Sequence, residues 1–165
     1  FVPAGQPWRK AERRVTSHEE RLAMLRLAME GEAAFEVETL EVKRPGPSYT
    51  VETLEALRTE RPGAELYFIM GEDALADLPN WVRPERILEL AKLAVARRSG
   101  AAGEALRKAT RRLPGLTERV IWLAMSPVEV SATEIRERVR ADLPIGGMAP
   151  AAVGAYIREQ GLYRA

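Results

Sequence analysis

The residues best placed to do chemistry form one short run, Val130-Ser131-Ala132-Thr133-Glu134-Ile135-Arg136, at the mouth of a predicted helix. The first turn of a helix leaves backbone N–H groups without intrahelical partners, and the helix dipole favours negative charge there. Ser131 and Thr133 add hydroxyls, and Arg136 adds a guanidinium about one turn further in. Together they have the make-up of a phosphate cradle. The same letters also satisfy a capping box, with Ser131 as cap and Glu134 as its reciprocal partner, so the run alone reads equally as a plain helix start.

A second group stands where the apolar run Leu66-Tyr67-Phe68-Ile69-Met70 ends, in Gly71-Glu72-Asp73. Ligands of open α/β sheets bind outside the carboxyl ends of the strands. Gly71 would let backbone approach a ligand there, and the Asp73 carboxylate could accept from ribose hydroxyls. Trp81 follows in Leu78-Pro79-Asn80-Trp81 and could stack on a planar ring or simply fill the core. A third group, Gly46-Pro47-Ser48-Tyr49-Thr50, delivers hydroxyls and N–H groups to a helix start. It could hold a carboxylate or phosphate, although N-capping accounts for Ser48 or Thr50 without any ligand. Arg9 and Lys10 lie in a loop from which they could reach an anion, or stay solvated. His18, beside Glu19 and Glu20, reads as a surface residue.

Composition narrows the choices. The 165 residues are 46% hydrophobic and 30% charged, as in a soluble globular domain that can bury a core. Cysteine is absent, which excludes disulfides, thiolate catalysis and cysteine-ligated metals. With His18 the only histidine, there is no histidine cluster for zinc and no basis for a histidine triad. A formal charge of +1 argues against a nucleic-acid surface. No apolar run approaches the roughly 20 residues of a membrane helix, and no secretory signal is visible.

These side chains must be carried by alternating elements. Phe1-Val2 running into Pro3-Ala4-Gly5 reads as the tail of a strand. A helix is predicted from about Ser17 to Glu30, with Ser17 and Glu20 as a capping box and Leu22, Leu25 and Met29 at helical spacing. Phe35 to Val42 alternates apolar and charged residues, which predicts an edge or half-exposed strand. After the Arg44–Pro47 turn a helix is expected over Thr50–Glu60, stopping at Arg61-Pro62-Gly63. Leu66–Met70 has the continuous apolar character of a strand buried on both faces. A helical turn over Asp73–Asp77 and a proline-started helix over Pro84–Leu90 come next. Strands over Leu93–Ala96 and Val120–Ala124 flank a loop-rich stretch, Ser99–Glu118, with room for a helix. Ser131–Arg140 and Pro150–Gln160 close the chain as helices. Strands separated by helices imply an α/β domain with an open parallel sheet, read as one domain over residues 1–165.

Taken in order, these pieces resemble the bacterial nicotinate-nucleotide adenylyltransferases. The matching residues are Phe1-Val2-Pro3-Ala4-Gly5-Gln6-Pro7, Arg21-Leu22-Ala23-Met24-Leu25 and Arg44-Pro45-Gly46-Pro47-Ser48-Tyr49-Thr50. They continue with Phe68-Ile69-Met70-Gly71-Glu72-Asp73, Leu78-Pro79-Asn80-Trp81, the Ser131–Arg136 run and Gly161-Leu162-Tyr163. The resemblance spans nearly the whole chain and implies a Rossmann-like nucleotidylyltransferase fold with helices flanking the sheet. It implies transfer of AMP from ATP to nicotinate mononucleotide, with Mg²⁺ accompanying ATP, in the cytoplasm. It further implies that Ser131, Thr133 and Arg136 hold ATP phosphates with Lys10 reaching them from another loop. Trp81 would stack on the pyridine ring, Thr50 and the Val82 N–H would receive the nicotinate carboxylate, and Asp73 would bind ribose. Ser48, Tyr49 and Gly71 complete the expected nicotinate mononucleotide set. A homo-oligomer is compatible with the pattern.

The chain departs from that pattern in specific places. The family's Gly-x-Phe-Asp-Pro-x-His-x-Gly-His loop has no counterpart here, so no catalytic residue is assigned and the 165 residues alone are expected to be inactive or nearly so. The usual Pro-Pro-His-Lys is Pro7-Trp8-Arg9-Lys10, and the second serine of the phosphate motif is Ala132. Two other readings stay open: a same-fold adenylyltransferase for nicotinamide mononucleotide or phosphopantetheine, and a nucleotide-binding module without catalysis.

Overall fold

A computed structural model of the chain describes residues 1–6, 16–97, 103–126 and 128–164. In chain order the elements are α1 (His18–Ala28), α2 (Leu40–Lys43), α3 (Thr50–Glu60), β1 (Leu66–Gly71), α4 (Glu72–Asp77) and a 3-10 turn (Leu78–Asn80). They continue as α5 (Pro84–Leu90), β2 (Ala91–Ala96), α6 (Gly103–Arg112), α7 (Leu116–Arg119), β3 (Val120–Leu123), α8 (Ala132–Arg140) and α9 (Ala151–Glu159). They fall into two compact units, Tyr49–Pro127 and Phe1–Ser48 with Val128–Ala165.

The Tyr49–Pro127 unit contains a parallel sheet in the order β1-β2-β3. Leu66 pairs with Ala91 and Gly71 with Ala96, while Leu93 pairs with Val120. Parallel neighbours require a crossover, here supplied by α4 and α5 and then by α6 and α7. Val51, Leu75, Leu78, Ile87, Leu93, Val95, Leu113 and Leu116 are fully buried in one cluster. Each such side chain contributes about 1.5–3 kcal/mol relative to exposure. β2 is the most deeply buried strand, as expected of a strand with a neighbour on each side.

The expectation that Leu66–Met70 is buried on both faces does not hold. Leu66, Phe68 and Met70 face the core, whereas Tyr67 is 47% and Ile69 72% exposed. Strand residues alternate between faces, and the Tyr67–Ile69 face lies in register with Lys92 and Ala94. An apolar run fixes the strand but cannot say how many of its faces are covered.

In the other unit, α1 begins with the predicted capping box. Ser17 Oγ accepts from Glu20 N, and Glu20 Oε2 accepts from Ser17 N, both at 3.1 Å. Ile145, Val153, Ile157 and Leu162 form the buried cluster, against which Met24 and Leu27 of α1 and Ile135 and Val139 of α8 pack. The strand predicted over Phe35–Val42 is absent. The Phe1 nitrogen donates to Glu36 O at 2.7 Å and Glu38 N donates to Phe1 O at 2.8 Å, so only a single rung of pairing forms. Thr39 N then donates to Glu38 Oε1, and Lys43 N to Thr39 O, which closes a helical turn where a strand would have continued. Phe1-Val2 likewise forms no strand; beyond the Phe1 rung, an isolated parallel bridge joins Gln6 and Pro47.

Candidate active site

The nicotinate-side candidates Tyr49, Thr50, Gly71, Asp73, Trp81 and Val82 all belong to the Tyr49–Pro127 unit. Thr50 is the first residue of α3, and Tyr49 occupies the cap position without a side-chain cap. The first-turn N–H groups of this 11-residue helix are therefore not closed off by a neighbouring hydroxyl. Capping does not account for Ser48 or Thr50. Ser48 is buried in the other unit, where its Oγ accepts from Gly5 N at 3.0 Å and its own N–H donates to Gln6 O at 2.8 Å. Ser48 thus holds the Pro3–Gln6 stretch in place.

Gly71 ends β1 and leads directly into α4, whose first turn carries Glu72 and Asp73. A β-carbon at Gly71 would meet nothing within 4 Å, so protein packing does not demand glycine; the space beside it is open. Asp73 is exposed at this carboxyl end of the strand, the edge at which parallel sheets bind ligands.

Trp81 is half-buried and held on several sides. Its Nε1 donates to Asp77 Oδ2 at 3.1 Å, and its backbone N donates to Leu78 O at 2.9 Å. Its ring meets Phe68 of β1 edge-on, with centroids 6.0 Å apart and planes at 75°. Asn80 Nδ2 donates to Asp77 Oδ1 at 2.9 Å, so Asp77 ties the whole turn together. Trp81 packs against the core without being swallowed by it. Exposed Val82 comes next, and then Arg83 in a left-handed conformation at φ 49°. The Arg83 Nη1 and Nη2 donate to Glu55 Oε1 and Oε2, each at 3.0 Å. Arg86 Nε joins the same carboxylate at 3.2 Å. The hydrogen bond from Arg83, with Arg86 assisting, holds the Glu55 carboxyl below the ordinary glutamate range.

The phosphate-side candidates Ser131, Thr133 and Arg136 are brought together at the start of α8. Ser131 is the cap, and its Oγ accepts from Glu134 N at 3.1 Å. Arg136 reaches back along the helix and donates to Thr133 Oγ1 at 3.3 Å, so a guanidinium and a hydroxyl share one exposed patch at a helix N-terminus. Replacement of the second serine by Ala132 leaves the backbone donors of this turn in place. Lys10 lies outside the described residues.

The sequence reading missed Asp77, Glu55 and Arg83. Asp77 stands four residues before Trp81, a helical spacing that places the two side chains on one face. Arg83 precedes Pro84, where the right-handed helical region is disfavoured, a local sign of an unusual conformation. Nothing local announces the pairing of Glu55 with Arg83.

A family described as cytidylyltransferase-like matches residues 1–138. A Thermomicrobium roseum protein named a probable nicotinate-nucleotide adenylyltransferase is 45% identical, over 99% of this chain and 76% of its own length. Relatives of the same name from Roseiflexus sp. and Dehalococcoides mccartyi are 44% and 40% identical, with 81% and 80% of their lengths covered. The solved structure of Plasmodium falciparum nicotinic acid mononucleotide adenylyltransferase complexed with NaAD superposes with TM-score 0.73 at 14% identity, over 98% of this chain and 80% of that one. The same enzyme complexed with APC gives 0.68 at 15% identity, over 90% and 77% of the two chains. These structures share the fold, an open parallel sheet with flanking helices. The chain belongs to the nicotinate-nucleotide adenylyltransferases, within the cytidylyltransferase-like family.

Proposed function

We propose that this protein transfers the AMP moiety of ATP to nicotinate mononucleotide, giving nicotinate adenine dinucleotide and pyrophosphate, a step of NAD biosynthesis. The observation that carries this reading is Trp81. It is a half-buried indole whose Nε1 is held by Asp77 and whose ring meets Phe68 of β1 edge-on, a side-chain type suited to stacking on a planar heterocycle. Thr50 and the Val82 N–H receive the nicotinate carboxylate, and Asp73 takes the ribose hydroxyls. Gly71 leaves room for the nucleotide, and Tyr49 stands at the start of α3. An N–H donor suits a carboxylate and meets an amide NH₂ unfavourably, so the acid nucleotide is the preferred substrate.

Ser131, Thr133 and Arg136 hold the ATP phosphates at the start of α8, with Lys10 as a further cation. An oxygen of the nucleotide phosphate forms a bond to the α-phosphorus of ATP as the bond from that phosphorus to the bridging oxygen breaks, and pyrophosphate leaves. No covalent enzyme intermediate is needed; alignment and charge stabilisation suffice. Mg²⁺ enters with ATP and offsets the triphosphate charge. Among the described residues no group of three His, Cys, Asp or Glu side chains could hold an ion. The reaction requires neither nucleic acid nor membrane, and no helix among the described residues is long and apolar enough to cross one. Water-soluble substrates suit a cytoplasmic location, and a homo-oligomer is compatible with this chemistry.

The test is equilibrium binding of nicotinate mononucleotide and its amide counterpart, beside pyrophosphate release from MgATP with each. Tighter binding of the acid, with any release following the same preference, supports the reading. Equal binding of the two, or release favouring the amide, overturns it.

A further inference from the structure

Two carboxylates that the proposed chemistry leaves without a role grip the segment that carries it. Asp77 accepts from the Trp81 indole at 3.1 Å. Glu55, on α3, accepts from both terminal guanidinium nitrogens of Arg83 at 3.0 Å. Trp81, Val82 and Arg83 are consecutive, so the segment is fastened at both ends and Val82 is suspended between the fastenings. The second fastening runs to α3, the helix whose first residue is Thr50. A link therefore joins α3, the helix that begins at Thr50, to the Trp81–Arg83 segment within one unit.

The link has features of a constraint. Arg83 holds a left-handed backbone at φ 49°, a conformation uncommon for non-glycine residues. A bidentate guanidinium–carboxylate pair fixes direction as well as distance, which a lysine could not do. Arg86 binds the same carboxylate at 3.2 Å and also Glu89 at 2.6 Å, so Glu55 is itself held by α5. The Glu55 pairs are partly exposed, and exposed ion pairs add little to global stability. Their effect falls on the geometry of the segment.

We propose that Glu55 and Asp77 are positioning residues that fix the Trp81–Arg83 segment against the start of α3 and thereby set the affinity for the pyridine nucleotide. This rests on the reading of Trp81 and Val82 as its binding residues. Neither carboxylate touches the nucleotide; each acts through the residue it holds.

The experiment measures affinity for nicotinate mononucleotide and for MgATP in wild type, Glu55→Ala, Asp77→Ala and the conservative Glu55→Gln and Asp77→Asn, each also built on Trp81→Ala. The alanine variants are expected to bind the acid nucleotide roughly tenfold more weakly, with MgATP affinity unchanged and with partial recovery in the conservative variants. The Asp77→Ala effect is expected to disappear on the Trp81→Ala background, because the group it positions is gone. Wild-type affinity in both alanine variants overturns the proposal. So does a loss shared equally by MgATP, or an Asp77→Ala loss that persists without Trp81, since either assigns a general structural role. If wild type itself fails to prefer the acid nucleotide, it is the substrate reading that falls.

Discussion

Gly5 lies so close to α2 that a β-carbon on it would fall 2.1 Å from the Glu41 carbonyl oxygen. No side chain can give way there, because the obstacle is backbone. The Gly5 N–H meanwhile donates to the buried Ser48 hydroxyl at 3.0 Å, and Arg21 Nη2 donates to Ala4 O at 2.6 Å. The stretch is thus gripped from α1, α2 and the turn before Ser48. Gly5→Ala is expected to lower unfolding stability by about 1–3 kcal/mol through overpacking. Urea unfolding checks this, and a wild-type midpoint would show that α2 yields without cost. Ser48→Ala should cost about 1–3 kcal/mol by a different route, leaving the Gly5 N–H without its acceptor.

The legible parts of this chain were those whose signals are local. α3 is bounded correctly because the Arg44–Pro47 turn comes just before it and Arg61-Pro62-Gly63 stops it, all within a few residues of its ends. The Ser17 capping box and the Ser131 cap were legible for the same reason. Phe35–Val42 misled because alternation states only that a strand is permitted. Whether one forms depends on partners distant in sequence, and here Phe1 supplies one rung before Thr39 turns the chain into α2. Ile69 shows the same limit at the level of burial, since its 72% exposure depends on what lies over the sheet. In the candidate site, residues that would touch substrate were named from motifs. Glu55 and Asp77 were not, because they act through side chains the motif already contains.

Arg136 is expected to matter for nucleotide and hardly at all for folding. Its guanidinium donates to the Thr133 hydroxyl at 3.3 Å on the same helix. A charge-assisted contact to phosphate is worth about 1.5–3 kcal/mol, so Arg136→Ala should weaken MgATP binding about ten- to hundredfold. Its melting temperature should stay at the wild-type value. Titration of MgATP beside a thermal melt separates the two, and unchanged MgATP affinity would remove α8 from the phosphate site.

A pH dependence follows from the exposed face of β1, where Lys92 pairs with Glu65 and Tyr67 donates to the same carboxylate. Lys92 and then Tyr67 hold the Glu65 carboxyl below its ordinary range. Its contribution is therefore present above the unfolded glutamate pKa, about 4.3, and is lost as pH falls through the depressed folded value. Lys92 is shifted upward, chiefly by Glu65, so its contribution is present below the unfolded lysine pKa, about 10.4, and is lost as pH rises past the folded one. Glu65→Gln should thus be slightly less stable than wild type at neutral pH, with the gap closing at both extremes. Screening keeps the gap small, and it should shrink in high salt. Thermal melts across pH decide it; a gap independent of pH would assign the effect to packing.

Asp73 and Leu75 lie on one short helix and should separate contact from scaffold. Leu75 is fully buried in the cluster beneath β1, whereas Asp73 is exposed in the first turn of α4. Leu75→Ala removes a core side chain and leaves a cavity, which costs about 2–5 kcal/mol. Leu75→Met conserves most of the volume and should cost less than about 1.5 kcal/mol. Asp73→Asn removes a charge from an exposed position, so its stability should stay within about 0.5 kcal/mol of wild type while nicotinate mononucleotide binds more weakly. A ribose hydroxyl donates more strongly to a carboxylate than to an amide oxygen, which is the physical basis of that loss. Unfolding curves and nucleotide titrations on the three variants give opposite rankings if the assignment is right. Should Asp73→Asn destabilise the fold instead, the carboxylate serves the α4 N-terminus, where negative charge is favoured, and the ribose contact must come from elsewhere.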